Sequence, residues 1–127
     1  CMKAIEKSGK KVVLVSSHSL SHRHFVTEAP LPEDMSREHI YNHSQYVWDM
    51  KIIDMFREGK MQEVVDIMPE YTEQTIAETE AGGLIWMMAA MGVPSYPAEI
   101  YGYQSVIGTG NCIACWDPNT NTRELVL

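Results

Sequence analysis

Three histidines and four serines lie within the stretch SSHSLSHRHF, residues 16–25, directly after the apolar run KVVLV. A histidine can serve as acid, base or metal ligand near neutral pH, because its ordinary pKa is about 6.5. A serine can serve as a nucleophile when a base lies beside it. No G-x-S-x-G motif surrounds Ser16 or Ser17, and this argues against a hydrolase. The stretch could therefore be an acid–base edge, a metal site or a solvated loop.

Two histidine pairs have the spacing H-x3-H: His18 with His22, and His39 with His43. On a helix this spacing places two imidazoles on one face, where they can share a metal ion. The first pair follows a predicted strand, so the helical argument does not apply to it. The second pair, in HIYNH, lacks the glutamate of a zinc protease motif. We expect His39 and His43 to be exposed histidines rather than ligands.

Cys112 and Cys115 form a C-x-x-C motif, CIAC, in a chain with three cysteines. A structural zinc site needs a second pair of ligands, and a redox motif needs a helix that begins at the cysteines. Here Trp116, Asp117 and Pro118 follow, which is typical of a strand that ends in a turn. The motif therefore predicts two partly buried thiols in a strand. The odd number of cysteines favours a reducing compartment over a disulfide framework.

Carboxylates precede an apolar helix in the segment EYTEQTIAETEAGGLIWMMAAMG, at Glu73, Glu78 and Glu80. Taken alone they indicate a solvated helix face. Glu78 and Glu80 are two residues apart, so on a regular helix they would point in different directions. At most one of them is expected to face inward.

The alternation of helices and strands predicts an α/β fold. Lys11–Ser17 is a continuous apolar, β-branched run, which is typical of a central strand covered on both faces. His22 would then lie just beyond the carboxyl end of that strand, where open α/β sheets bind ligands. The remaining predicted elements are helices at residues 2–9, 44–58, 61–68, 70–79 and 84–91, a long loop at residues 18–35, and strands within YQSVIGTG and NCIACW. Pro69 is expected to close the 61–68 helix, and a hinge is expected near Gly82 and Gly83.

Length and composition set the class of molecule. A chain of 127 residues with 45% apolar and 21% charged residues is expected to form a single domain, 1–127, with its own core. The net charge of −7 and the absence of a Lys/Arg stripe argue against a nucleic-acid partner. No apolar run approaches the roughly 18 residues of a membrane span. We expect a cytoplasmic protein with no membrane partner.

Four segments of the sequence together resemble the C-terminal portion of the class III extradiol ring-cleavage dioxygenases. They are VLVSSHSLSHRHF, PEDMSREH, AETEAGGLIWMMAAMG and EIYGYQSVIGTGN. The resemblance covers about residues 10–117. It implies the class III fold, with a central sheet flanked by helices, and cleavage by O2 of a catechol- or 2-aminophenol-type aromatic ring at a non-haem Fe(II) cofactor.

The resemblance also implies roles for individual residues. His22 matches the histidine of the S-x-x-L-S-H motif, which acts as acid and base beside the iron. Glu78 matches the glutamate that binds the metal, and Glu80 is its rival if the register differs by two residues. His18 and His24 are expected to line or support the substrate pocket.

The family's other two iron ligands are histidines of an N-terminal half, and this sequence contains no match for them. The sequence begins Cys1-Met2, so we expect a part of a longer enzyme. Because the two histidine ligands are missing, we expect this part alone to bind Fe(II) weakly and to be inactive. The resemblance also implies a homo- or hetero-oligomer. The alternative is a metal-free, non-catalytic relative or subunit that serves as an interaction domain.

Overall fold

A computed structural model describes residues 1–23 and 39–119. In chain order, the elements are α1 (Met2–Ser8), α2 (His43–Glu58), α3 (Met61–Thr75), a 3-10 turn (Glu78–Ala81), α4 (Gly82–Met91), β1 (Glu99–Val106) and β2 (Thr109–Cys115). This mixture confirms the predicted α/β composition and the helices predicted at residues 2–9 and 44–58. The sheet of the described chain is a two-stranded antiparallel hairpin, so the predicted central sheet flanked by helices is not found there.

Helix α2 has clear signals at both ends. The side chain of Asn42 accepts a hydrogen bond from the Gln45 N–H at 2.9 Å, which satisfies one of the donors that the first helical turn leaves unpaired. At the other end Gly59 takes a left-handed conformation, with φ of 70°, as residues that follow a helix often do. The face between these ends carries the buried residues Gln45, Asp49, Ile52, Ile53 and Phe56.

Strands β1 and β2 form a hairpin that confirms the two strands predicted near the end of the sequence. Their register runs from Glu99 opposite Cys115 to Val106 opposite Thr109, with an irregularity between Ile100 and Gly102. The turn residues Ile107 and Gly108 both have positive φ, 51° and 86°. Turns of this kind match the twist of a two-stranded ribbon.

The hydrophobic core lies between α2, α3, α4 and the hairpin. Helix α2 packs against α3 and against both strands, and α1 contributes no buried residue. The largest buried apolar side chains are those of Ile52, Ile53, Phe56, Met61, Val64, Met68, Tyr71, Leu84 and Met88. Leu20 joins this core and so fixes the end of the segment that leads to His22.

The prediction of a central strand at Lys11–Ser17 is wrong for the described chain. No strand is formed there, and Val13 and Val15 are 85% and 77% exposed. A strand needs hydrogen bonds from a neighbour, and the two described strands pair with each other. The residues still alternate, since Leu14, Ser16 and His18 are partly buried while Val13, Val15 and Ser17 are exposed.

Two predicted boundaries between residues 61 and 91 are also wrong. Helix α3 continues through Pro69 to Thr75. Proline inside a helix costs about 3 kcal/mol, but buried residues on both sides of it, Val64, Met68 and Tyr71, hold the helix on the core. The chain then bends over residues 76–81 rather than at Gly82, which has ordinary helical angles.

Three predictions fall outside the described residues or are untested. His24 lies outside them, as does the predicted loop beyond Arg23 with Pro30 and Pro32. The single domain at 1–127 stays a prediction. Across the described chain, no helix has both the length and the apolar character that crossing a membrane requires.

Candidate active site

The loop of residues 19–22, here called the 19–22 loop, is anchored by four consecutive backbone amides. Each N–H donates to a different part of the fold: Ser19 to Glu78 Oε2 at 2.6 Å, Leu20 to the Gly110 carbonyl at 2.8 Å, Ser21 to Asp49 Oδ1 at 3.1 Å and His22 to the Thr75 carbonyl at 3.3 Å. The loop has no helix or strand of its own. Its conformation is therefore set by α2, α3, β2 and the 3-10 turn together.

Ser19 joins His22 to Glu78. The Ser19 hydroxyl lies 2.5 Å from His22 Nδ1 and 3.0 Å from Glu78 Oε2, and the imidazole nitrogen is 3.8 Å from the same carboxylate oxygen. A carboxylate only accepts hydrogen bonds, so the hydroxyl donates its proton to Glu78 and accepts from His22 Nδ1. This pattern assigns the proton of neutral His22 to Nδ1 and makes Nε2 its basic nitrogen.

Glu78 is held as a carboxylate that remains accessible. Its pKa is lowered, mainly because the Ser19 backbone N–H donates to it, with further contributions from the Ser19 hydroxyl and from His22 and His18. The side chains of Glu78 and His22 are each 34% exposed. Both hydrogen bonds to Glu78 use Oε2, so within the described residues Oε1 has no hydrogen-bond donor. That oxygen suits a metal ion or a substrate hydroxyl.

The backbone around Glu78 is strained. Residues with positive φ that are not glycine flank it on both sides: Ile76 (50°), Thr79 (48°), Glu80 (53°) and Ala81 (57°). The left-handed region is unfavourable for residues with a Cβ, and such strain concentrates at functional sites. The resulting bend turns Glu78 toward Ser19, while Glu80 is exposed. Of these two carboxylates, Glu78 therefore faces inward, in agreement with the expectation that at most one of them does.

His18 lies beside this cluster. Its Nδ1 is 3.0 Å from the Ser16 hydroxyl, and a Cβ at Gly83 would lie 3.0 Å from the same nitrogen, so α4 packs closely on the ring. Burial lowers the pKa of His18, although the charge of Glu78 opposes the shift. At neutral pH His18 is therefore mostly uncharged.

A groove of about 430 Å³ opens next to His18. Ser16, His18 and Asn111 supply polar groups, while Leu20, Met87 and Trp116 are among the apolar side chains that line it. Ligand pockets commonly have volumes of about 300–1,000 Å³ with mostly apolar walls and a few polar groups. The groove is large enough for one aromatic ring.

The other candidates are not brought into this cluster. His43 stacks on Tyr46 with ring centroids 6.2 Å apart, and His39 is exposed and contacts the Ile40 carbonyl. Cys112 and Cys115 are free thiols in β2, the first partly buried and the second exposed. Within residues 1–23 and 39–119, no three His, Cys, Asp or Glu side chains are placed to hold a metal ion.

Sequence reasoning missed Ser19 and Asp49. Ser19 is indistinguishable by type from the three other serines nearby, so its bridging position follows only from the fold. Asp49 did carry a signal, because it lies on the apolar face of α2 three, four and seven residues before Ile52, Ile53 and Phe56. A charged residue on a buried face calls for a set of hydrogen-bond partners.

The geometry described above is that of a histidine and a carboxylate joined through the Ser19 hydroxyl, with an apolar groove next to the neighbouring His18. The comparisons with known proteins identify its class. The family model described as "Catalytic LigB subunit of aromatic ring-opening dioxygenase" matches residues 1–113. The chain therefore belongs to this family of extradiol ring-cleavage dioxygenases, as the sequence resemblance predicted.

Two curated relatives make the comparison more specific. The chain is 48% identical over 114 residues to the 2-aminophenol 1,6-dioxygenase beta subunit of a Pseudomonas species, covering 90% of this chain and 37% of that protein. It is 26% identical over 100 residues to the 3,4-dihydroxyphenylacetate 2,3-dioxygenase of Escherichia coli, covering 79% of this chain and 35% of that protein. The chain thus spans little more than a third of the length of these relatives.

Proposed function

We propose that this chain is part of a non-haem Fe(II)-dependent dioxygenase that opens a catechol- or 2-aminophenol-type ring with O2. Glu78 supplies one ligand to the iron, and His22 acts as acid and base toward the substrate. The observation that carries the proposal is the contact of Ser19 with both His22 Nδ1 and Glu78 Oε2. This contact supports the proposal because it joins a histidine to an accessible carboxylate in a member of a ring-opening family.

The chemistry of Glu78 fits its proposed part. It is anionic, its pKa is lowered, and its Oε1 has no donor among the described residues. Two histidines and one carboxylate form the usual ligand set of non-haem Fe(II) oxygenases. The two histidines would come from outside this sequence, and when bound the iron would supply the means of activating O2.

The chain's own residues handle the proton and the ring. His22 Nε2 takes a proton from a substrate hydroxyl and returns it as the ring opens. Throughout, the Nδ1–H of His22 remains hydrogen-bonded to the Ser19 hydroxyl. The groove next to His18 receives the aromatic ring, and its apolar side chains exclude water. His18, uncharged at neutral pH, lines this groove. His24 is assigned to the pocket from the family resemblance alone.

The names of the relatives support a substrate class and an assembly. The 48% identical relative is a 2-aminophenol 1,6-dioxygenase beta subunit. We therefore place a 2-aminophenol-type ring first among the substrates and a hetero-oligomer first among the assemblies.

The test uses the complete protein, isolated without oxygen, loaded with Fe(II) and mixed with 2-aminophenol or catechol. We expect one O2 consumed for each ring opened, followed with an oxygen electrode and by the absorbance of the product. Protein without added iron is the control. Failure to retain Fe(II) and to consume O2 with either substrate would contradict the proposal and favour the metal-free interaction domain.

A further inference from the structure

A fully buried carboxylate lies beneath the 19–22 loop. Asp49 on α2 has 0% exposure and accepts four hydrogen bonds. Its Oδ1 accepts from the Ser21 N–H at 3.1 Å and the Tyr71 hydroxyl at 2.9 Å. Its Oδ2 accepts from the Ser21 hydroxyl at 2.7 Å and the Tyr103 hydroxyl at 2.7 Å. Two of the four therefore come from one residue of the loop that carries His22.

The partners of Asp49 in the described chain are all neutral donors, and no cation faces it. A buried carboxylate costs free energy unless hydrogen bonds replace its hydration. Burial raises the pKa of Asp49, and each of the four donors opposes that rise. An asparagine in this place would present an NH2 group to two of the donors. The set of partners is therefore matched to a carboxylate and not merely to a polar side chain.

Two of the four segments that carry the family resemblance meet at Asp49. Ser21 belongs to SHSLSH, and Tyr103 and Gly110 belong to YGYQSVIGTGN. The Gly110 N–H donates to the Ser21 carbonyl at 3.0 Å and lies 3.1 Å from the Ser21 hydroxyl. A Cβ on Gly110 would lie in hard contact with Asp49 Oδ2 and 2.8 Å from the Ser21 hydroxyl. The glycine thus leaves the space that lets the loop reach the carboxylate.

We propose that Asp49 is a positioning residue for His22. Its carboxylate holds both polar groups of Ser21 and thereby fixes the 19–22 loop, so that the next side chain in the sequence stays beside Ser19 and Glu78. The inference rests on the acid–base role proposed for His22. It assigns to Asp49 no contact with substrate or metal.

The test is a double-mutant cycle in the complete, iron-loaded protein with Asp49→Asn, His22→Ala and the double variant. We expect Asp49→Asn to lower kcat by about 10²-fold, because a misplacement of about 1 Å has a cost of this order. The change in KM should be smaller, with iron content unchanged. In the His22→Ala background, Asp49→Asn should lower kcat only slightly further. Equal fold losses in both backgrounds would overturn the proposal, since Asp49 would then act on the fold in general.

Hydrogen exchange provides a readout independent of activity. In Asp49→Asn the amides of the 19–22 loop should exchange faster while those of β1 and β2 keep their protection. Asp54→Asn is the matched control, because Asp54 lies on the same helix, is 64% exposed and pairs with Arg57. Unchanged exchange of the loop in Asp49→Asn would overturn the proposal. If His22→Ala turns over normally, the acid–base role fails, yet this measurement still decides whether Asp49 holds the loop.

A milder variant covers the case in which Asp49→Asn does not fold. Tyr103→Phe removes one of the four donors and leaves the carboxylate and the Ser21 contacts in place. We expect roughly a tenfold loss in kcat, the effect of one weakened hydrogen bond to a charged group. This loss should again disappear in the His22→Ala background. A loss that persists there, or no loss at all, would overturn the proposal.

Discussion

Ser19 donates both its backbone N–H and its hydroxyl to the same oxygen of Glu78, although the two residues are 59 positions apart in the sequence. The contact ties the 19–22 loop to the strained turn that carries Glu78. It also occupies Oε2, while Oε1 has no hydrogen-bond donor among the described residues. The Ser19 hydroxyl in addition contacts His22 Nδ1, so one small side chain orients both proposed functional groups.

Replacing Ser19 by alanine should separate the effect of its hydroxyl from that of its backbone N–H. In Ser19→Ala the N–H bond to Glu78 remains, so iron binding by the complete protein should be largely kept. His22 loses the acceptor for Nδ1–H, and kcat should fall by about tenfold, the effect of roughly 1.4 kcal/mol. Single-turnover ring opening and iron per subunit are measured together. Ser95→Ala, an exposed serine in the loop before β1, is the control, and equal activity of the two variants would exclude an orienting role for Ser19.

Replacing Gly110 by alanine should destabilise the protein, whereas the same substitution at nearby Gly102 should not. Gly110→Ala forces a Cβ against Asp49 Oδ2 and to 2.5 Å from the Tyr103 hydroxyl. Overpacking of this kind costs about 1–3 kcal/mol, so the variant should lose several degrees in Tm. Gly102→Ala is the matched control, because a Cβ there meets nothing within 4 Å. Equal Tm values for both variants would show that the site around Asp49 is looser than described.

His18 should make the stability of the protein depend on pH. Burial lowers its pKa below the ordinary 6.5, so between these two values the unfolded state binds a proton and the folded state does not. The contribution is therefore favourable above pH 6.5 and is lost as the pH falls toward the lowered pKa. Between about pH 7.5 and about pH 5.5, wild type should lose more Tm than His18→Asn. Parallel losses in the two proteins would mean that His18 is as easily protonated in the folded state as in the unfolded one.

Local signals made part of the fold predictable. Helix α2 follows from the spacing of Trp48, Ile52, Met55 and Phe56 and from Gly59, and the hairpin follows from two short strand-like runs. The conformation of Lys11–Ser17 depends on which chain lies beside it, and composition does not encode that. The bend at residues 76–81 was also hidden, because it uses left-handed conformations at residues without the usual glycine signal.

The site was predictable only in part, because contacts between residues distant in the sequence position its side chains. His22 and Glu78 were assigned from family resemblance, and their proposed roles stay predictions. Their proximity depends on Ser19, whose type does not distinguish it from its neighbours. Asp49 could have been found as the single charged residue among the buried positions of α2. The hydrogen-bond partners of Asp49 could not have been predicted, since they lie 22 to 54 residues away along the chain.

The measurement that tests the proposed site most directly is iron content with single-turnover ring opening for Glu78→Ala, His22→Ala and Glu80→Ala in the complete protein. Glu78→Ala removes the proposed metal ligand, so iron and turnover should fall together. His22→Ala keeps the ligands, so iron should remain while kcat falls by about 10²–10⁴-fold, the usual contribution of an acid–base residue. Glu80→Ala, whose side chain is exposed, should keep both. Loss of iron in Glu80→Ala but not in Glu78→Ala, or normal turnover of His22→Ala, would contradict the assignment.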